Sequence, residues 1–120
     1  MSYLVTISAE FCAAMQLAMP GDCNKLHGHT YIITAEFSAE SLNEYGIAID
    51  YYDLQAKLDN IVKQIDHCYL NEHAWFQDLA PSSENIAFVV FHKLKEFTKE
   101  VNLIKVSVQE SKNCVVSYVE

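Results

Sequence analysis

The sequence predicts an α+β fold, a ββααββ chain whose four-stranded antiparallel sheet carries two helices on one face. Three observations predict it. Apolar residues alternate with a period of two near both ends of the chain, they recur at helical spacing in the middle, and turn or capping residues separate these stretches.

Residues Tyr3 to Met15 read as the first strand, with Tyr3, Val5, Ile7 and Phe11 on one face and Thr6, Ser8 and Glu10 on the other. Met19-Pro20-Gly21-Asp22 then supplies turn residues. A second strand runs from about His27 to Phe37, with Tyr31, Ile33 and Phe37 on one face, and pairs antiparallel with the first.

Asp50 offers an N-cap acceptor ahead of Leu54, Leu58, Ile61, Val62 and Ile65, which predicts a helix over about 51–65. A second helix begins after Pro81, capped by Ser82 or Ser83, carries Ile86, Val90, Leu94 and Phe97, and ends near Glu100. Asn102 to Ser111 alternates again through Ile104, Val106 and Val108, and a Lys112-Asn113 turn leads into a closing strand over Cys114 to Val119. Both sheet edges would be open in a monomer, which predicts self-association.

A chain of 120 residues fits one compact domain, taken as residues 1–120. Half of it is hydrophobic, and three glycines and two prolines exclude a fibrous or disordered reading. The first residues lack a basic n-region and no apolar run approaches the roughly 18 residues of a membrane span, so a cytoplasmic protein with no membrane partner is expected. The four cysteines are then expected as reduced thiols. A net charge of −8 with no basic cluster argues against nucleic acid as a partner. An anionic substrate would have to be met by a few lysines such as Lys25 and Lys112 against that overall field.

Chemistry concentrates in Cys23-Asn24-Lys25-Leu26-His27-Gly28-His29. His27 and His29, at i and i+2 of a strand, share one face about 7 Å apart, a spacing that suits one metal ion; it equally suits two histidines on a half-buried strand. Zinc accepts imidazole nitrogens, and a catalytic zinc usually takes a third protein ligand and an open position. Cys23, four residues before His27, is a candidate base or an inert loop thiol. Asp66-His67, at the end of the first helix, is a candidate proton shuttle or a helix C-cap. Glu110, in phase with Val106 and Val108, points to the core side. Its carboxylate matches two adjacent N–H donors of a planar heterocycle such as a pterin or guanine, or finds an intramolecular partner.

These residues together resemble the 6-pyruvoyl-tetrahydropterin synthase family, most closely its bacterial carboxy-forming branch in the queuosine and deazapurine pathway. The matching segments, in register over nearly the whole chain, are Phe11-Cys12-Ala13-Ala14, Cys23-x-x-x-His27-Gly28-His29-x-Tyr31, Ile49-Asp50-Tyr51-Tyr52-Asp53-Leu54, Asp66-His67-x-x-Leu70-Asn71, Pro81-Ser82-Ser83-Glu84, and Glu110 followed by Tyr118. The resemblance implies a tunnelling fold, in which subunits join through their sheet edges into a barrel, commonly a homohexamer built as a dimer of trimers. It implies active sites between subunits and 7,8-dihydroneopterin triphosphate as substrate. It further implies one zinc per subunit held by His27 and His29, Cys23 as general base, Asp66 and His67 as the acid–base pair, and Glu110 as the pterin anchor.

One position departs from the family pattern. The family continues Phe-x-Ala-Ala-His, its histidine being the third zinc ligand, whereas this chain has Met15 there. A thioether is a soft, neutral donor that suits Cu(I) better than zinc. Cys12 should face the other side of the strand, His73 lies in an irregular stretch that could turn back towards a metal or face solvent, and His92 reads as structural or exposed. Cys68 and Cys114 read as small buried hydrophobes.

Overall fold

The computed structural model describes residues 2–120, so only Met1 of the expected domain lies outside it. Strand β1 spans Tyr3–Met15 and strand β2 His27–Ala39, paired antiparallel from Tyr3↔Ala39 to Met15↔His27. The odd-numbered residues Ile7, Phe11, Ala13 and Met15 of β1 and Tyr31, Ile33, Ala35 and Phe37 of β2 are buried, while Thr6, Ser8, Glu10 and Thr30 face out. The period-two alternation therefore sets which face carries the core.

Helix α1 spans Tyr51–Lys63, its first turn capped by the Asp50 carboxylate, which accepts from the Tyr52 N–H. The helix stops two residues short of Ile65, which is nonetheless fully buried. The turn after the helix keeps delivering side chains to the core, so the apolar pattern outruns the helix. Helix α2 spans Ser83–Phe97 with Ser82 as its cap, accepting from the Asn85 N–H. It ends before the expected Glu100 because Thr98 leaves helical geometry and turns its hydroxyl back onto the Leu94 carbonyl. Phe97 is not a core residue: it is 55% exposed, and the buried face of α2 is Ile86, Ala87, Val90, Phe91 and Leu94.

Strand β4 spans Asn102–Ser111 and β5 spans Cys114–Val119. β4 pairs with β2, β5 pairs with β4, and both pairings are antiparallel. The sheet has five strands rather than the expected four, in the order β3-β1-β2-β4-β5. The addition, β3, is only Cys68–Tyr69 and runs parallel to β1 beside Ala13 and Ala14. Two residues are too few to show an alternating pattern, and backbone bonds to β1 define the strand instead. Beyond it, the Asn71 amide accepts from the Gln16 N–H and donates to the Gln16 carbonyl, both at 2.8 Å, continuing the ladder with a side chain.

The two helices and the inward face of the sheet enclose one hydrophobic cluster. No helix among the described residues is long and apolar enough to cross a membrane.

Candidate active site

Beyond the ends of β1 and β2, a cleft of about 580 Å³ opens beside the core. Met15, Cys23, His27, His29 and Glu110 border it, with Lys25 and Ser83 nearby. The antiparallel register accounts for the grouping: Met15 lies opposite His27, Ala13 opposite His29, and all four side chains share the inward face.

The His27 and His29 rings meet edge to face, with centroids 4.9 Å apart. His27 Nδ1 lies 2.7 Å from the Lys25 carbonyl, an oxygen that can only accept. That bond fixes the proton on Nδ1 and leaves the Nε2 lone pair free, as an acceptor or a metal ligand, in the neutral ring. His29 Nε2 lies 3.7 Å from Glu110 Oε2, beyond hydrogen-bond distance. Glu110 accepts instead from the Ser83 hydroxyl at 3.1 Å. Ser83 can do this because Ser82 takes the capping role at α2. Glu110 therefore has both an intramolecular partner and an open side towards the cleft.

Cys23 is exposed, within a single 3₁₀ turn over Asp22–Asn24 that joins the cleft wall to β2. Lys25, the one lysine bordering the cleft, forms an exposed pair with Asp22 at 3.5 Å. Lys112 does not border it.

Met15 is 1% exposed, and the Tyr31 hydroxyl donates to its Sδ at 2.8 Å. Burial, reinforced by the nearby Glu110 carboxylate, pushes the Tyr31 phenol well above its usual range, so it remains a hydroxyl donor. Sequence reasoning placed Tyr31 on this face and missed the bond to Met15, since two buried neighbours carry no pairing signal in one chain.

Asp66 and His67 lie elsewhere. The Cys12 N–H donates to Asp66 Oδ1 at 2.9 Å, and the His67 N–H donates to the Cys12 carbonyl, which seats both residues on the outer edge of β1. His67 Nδ1 is 3.0 Å from Asp66 Oδ2, and the His67 side chain is 80% exposed. The bond from the Cys12 N–H, helped by His67, holds the Asp66 carboxyl below its usual range. His67 adopts φ +59°, a left-handed conformation uncommon for a non-glycine residue, and borders a second hollow of about 530 Å³ together with Cys12, Gly28, His29, Thr30 and Cys68. Within one chain neither residue of the pair lines the Cys23 cleft, although His29 borders both hollows.

Cys12 faces away from the core as expected, its thiol beside the Thr30 hydroxyl at 3.5 Å. His73 does not turn back to the cleft. Its Nε2 donates to the Gln64 carbonyl and its Nδ1 accepts from the Trp75 N–H, so both ring nitrogens are committed locally. His92 is structural: Nδ1 meets the Phe88 carbonyl and Nε2 meets Glu120 at 3.1 Å. The expectation of buried Cys68 and Cys114 is corrected: Cys68 is half-buried, and Cys114, opening an edge strand with one neighbour, is exposed and borders the cleft. All four cysteines are free thiols.

Of the three positions that the resemblance implies for zinc, His27 and His29 present imidazoles to the cleft, and the third, Met15, presents a buried, hydrogen-bonded thioether. That donor set does not fit a three-ligand zinc centre. Among the described residues no group of three or more His, Cys, Asp and Glu side chains is placed to hold one ion.

The family model described as 6-pyruvoyl tetrahydropterin synthase matches residues 4–120. A 6-carboxy-5,6,7,8-tetrahydropterin synthase of Synechocystis is 38% identical over 92 residues, covering 72% of this chain and 70% of its own length. A protein of Archaeoglobus fulgidus, given that name provisionally, is 33% identical over 109 residues, covering 91% of this chain and 90% of its own. The structure of Caenorhabditis elegans 6-pyruvoyl tetrahydropterin synthase superposes with a TM-score of 0.88 at 24% identity, covering 99% of this chain and 96% of the other, and so shares the fold. The fold and these matches agree: the chain belongs to the 6-pyruvoyl tetrahydropterin synthase family.

Proposed function

We propose that this chain is a 6-carboxy-5,6,7,8-tetrahydropterin synthase, converting 7,8-dihydroneopterin triphosphate and one water to 6-carboxy-5,6,7,8-tetrahydropterin, acetaldehyde and triphosphate in the queuosine and deazapurine pathway. The observation that carries the reading is Glu110, an in-facing carboxylate at the head of a cleft that also holds Cys23 and two imidazoles. Its open side suits the paired N–H donors of the pterin ring, and the Ser83 hydroxyl fixes the carboxylate for that contact.

With the ring anchored at Glu110, the substrate side chain extends towards Cys23, which removes a proton beside a side-chain hydroxyl as a thiolate. The return of protons falls to the Asp66–His67 pair of a neighbouring subunit, since the same pair in one chain lies on the outer edge of β1. Asp66 holds His67 Nδ1 and leaves Nε2 to exchange protons with the substrate. Lys25, at the cleft mouth, is the cation available to the triphosphate. Assembly through the open edges β3 and β5 into a homohexamer, a dimer of trimers, would bring the two half-sites together. These acid–base steps belong to the chain's own side chains, because Met15 leaves the zinc ligand set incomplete. A cytoplasmic location is part of the same proposal.

Met15 favours a second reading, a pterin-binding paralogue that has lost turnover. Incubation with 7,8-dihydroneopterin triphosphate and chromatography of the products separate the cases. Acetaldehyde with carboxytetrahydropterin supports the first reading, a pyruvoyl product without acetaldehyde assigns the other branch, and binding without product supports the paralogue. Neither binding nor product would sink the pterin assignment.

A further inference from the structure

We infer that the His27, His29 and Met15 side chains form a site selective for the soft monovalent ion Cu(I) over zinc. Three features of the structure converge on it. The Lys25 carbonyl holds the proton of His27 on Nδ1, which leaves Nε2 with a free lone pair on a ring that borders the cleft. His29 presents its Nε2 on the same face, its ring 4.9 Å from that of His27 and with no hydrogen bond to Glu110. Met15 lies directly opposite His27 in the β1–β2 ladder and on that same face, bordering the same cleft.

The donor set is therefore two imidazole nitrogens and one thioether sulfur. Zinc is borderline-soft and favours thiolate, imidazole and carboxylate, whereas a thioether selects Cu(I). Cu(I) also needs no fourth ligand to complete a trigonal site. The Tyr31 hydroxyl occupies one lone pair of Met15 Sδ and holds the side chain in place, leaving the second lone pair available. Tyr31 is fully buried, so this anchor is rigid. Among the described residues no further His, Cys, Asp or Glu joins the two histidines as a third ligand, so the sulfur is the group that distinguishes one metal from another. The inference concerns metal choice and stands whether or not the chain turns over a pterin.

The test is anaerobic titration of the whole protein with Cu(I) against a chromophoric Cu(I) chelator, and with Zn(II) against a chromophoric zinc chelator. Wild type, Met15→His, Met15→Leu and Cys23→Ala are compared. Wild type should bind Cu(I) stoichiometrically, and Met15→Leu, which preserves side-chain volume, should weaken it about tenfold or more while leaving zinc affinity unchanged. Met15→His should raise zinc affinity roughly a hundredfold. Cys23→Ala should retain Cu(I). Selenomethionine-labelled wild type should show a copper–selenium path in X-ray absorption that is absent from Met15→Leu. Wild-type zinc affinity equal to that of Met15→His would overturn the inference. So would Cu(I) binding that survives Met15→Leu, is lost in Cys23→Ala, or shows no selenium neighbour.

Discussion

Glu110 receives one hydrogen bond, from Ser83, and keeps its remaining acceptor capacity turned to the cleft. Glu110→Gln removes the charge and replaces one acceptor oxygen with a donor, so pterin binding should weaken by about 1.5–3 kcal/mol, roughly ten- to a hundredfold in Kd, measured by calorimetry. Cys23 is exposed in a short turn with no packing role, so Cys23→Ala should leave the fold intact by circular dichroism and lower turnover by about 10²–10⁴. Asp66 yields a pH prediction. Its native pKa is depressed, so the stability it contributes is present above the ordinary carboxylate value of about 4 and fades as pH falls through the lowered native value. The gap in urea midpoint between wild type and Asp66→Ala should therefore be full at neutral pH and close under acid; a gap constant with pH would contradict it. At this scale the sequence disclosed residue types and strand phase, which placed His27, His29 and Glu110 on one side. It did not disclose Ser83 as the partner of Glu110, because two adjacent serines compete for one cap and only the backbone decides between them.

The elements that sequence periodicity resolved well are those long enough to repeat it. β1 and β2, at 13 residues each, show their alternation several times over and were found almost in full. β3 has two residues and its existence depends on β1 offering an open edge, a fact about tertiary arrangement alone. Helix ends were overrun for a related reason: Ile65 and Phe97 continue the apolar pattern, one buried after its helix has ended and the other exposed at the last helical residue. Gly28, between the two histidines, belongs to this scale. A Cβ there would lie 3.3 Å from the Ala13 carbonyl oxygen, a backbone atom fixed in the neighbouring strand. Gly28→Ala should cost about 1–3 kcal/mol, read as a lower urea midpoint, and should disturb the spacing of His27 and His29. An unchanged midpoint would show that the two strands yield at this point.

At the scale of the whole molecule, the Cys23–Glu110 cleft and the Asp66–His67 pair on the far edge of β1 lie apart in one chain, and the proposed reaction treats them as two halves of one site. Their separation was not legible in the sequence, since motif order says nothing of which side of a sheet a loop will occupy. If the halves combine between subunits, Cys23→Ala and His67→Ala are each inactive alone, and reassembly of a dissociated equal mixture restores about a quarter of wild-type turnover. No recovery on mixing would place both halves in the same chain's site. The central claim, a pterin anchored by Glu110 for chemistry at Cys23, is tested most directly by steady-state turnover of 7,8-dihydroneopterin triphosphate by the assembled wild type and Glu110→Gln. The account predicts acetaldehyde release by the wild type and a KM raised roughly ten- to a hundredfold in the variant. A wild type that consumes no substrate, or a variant with unchanged KM, would contradict it.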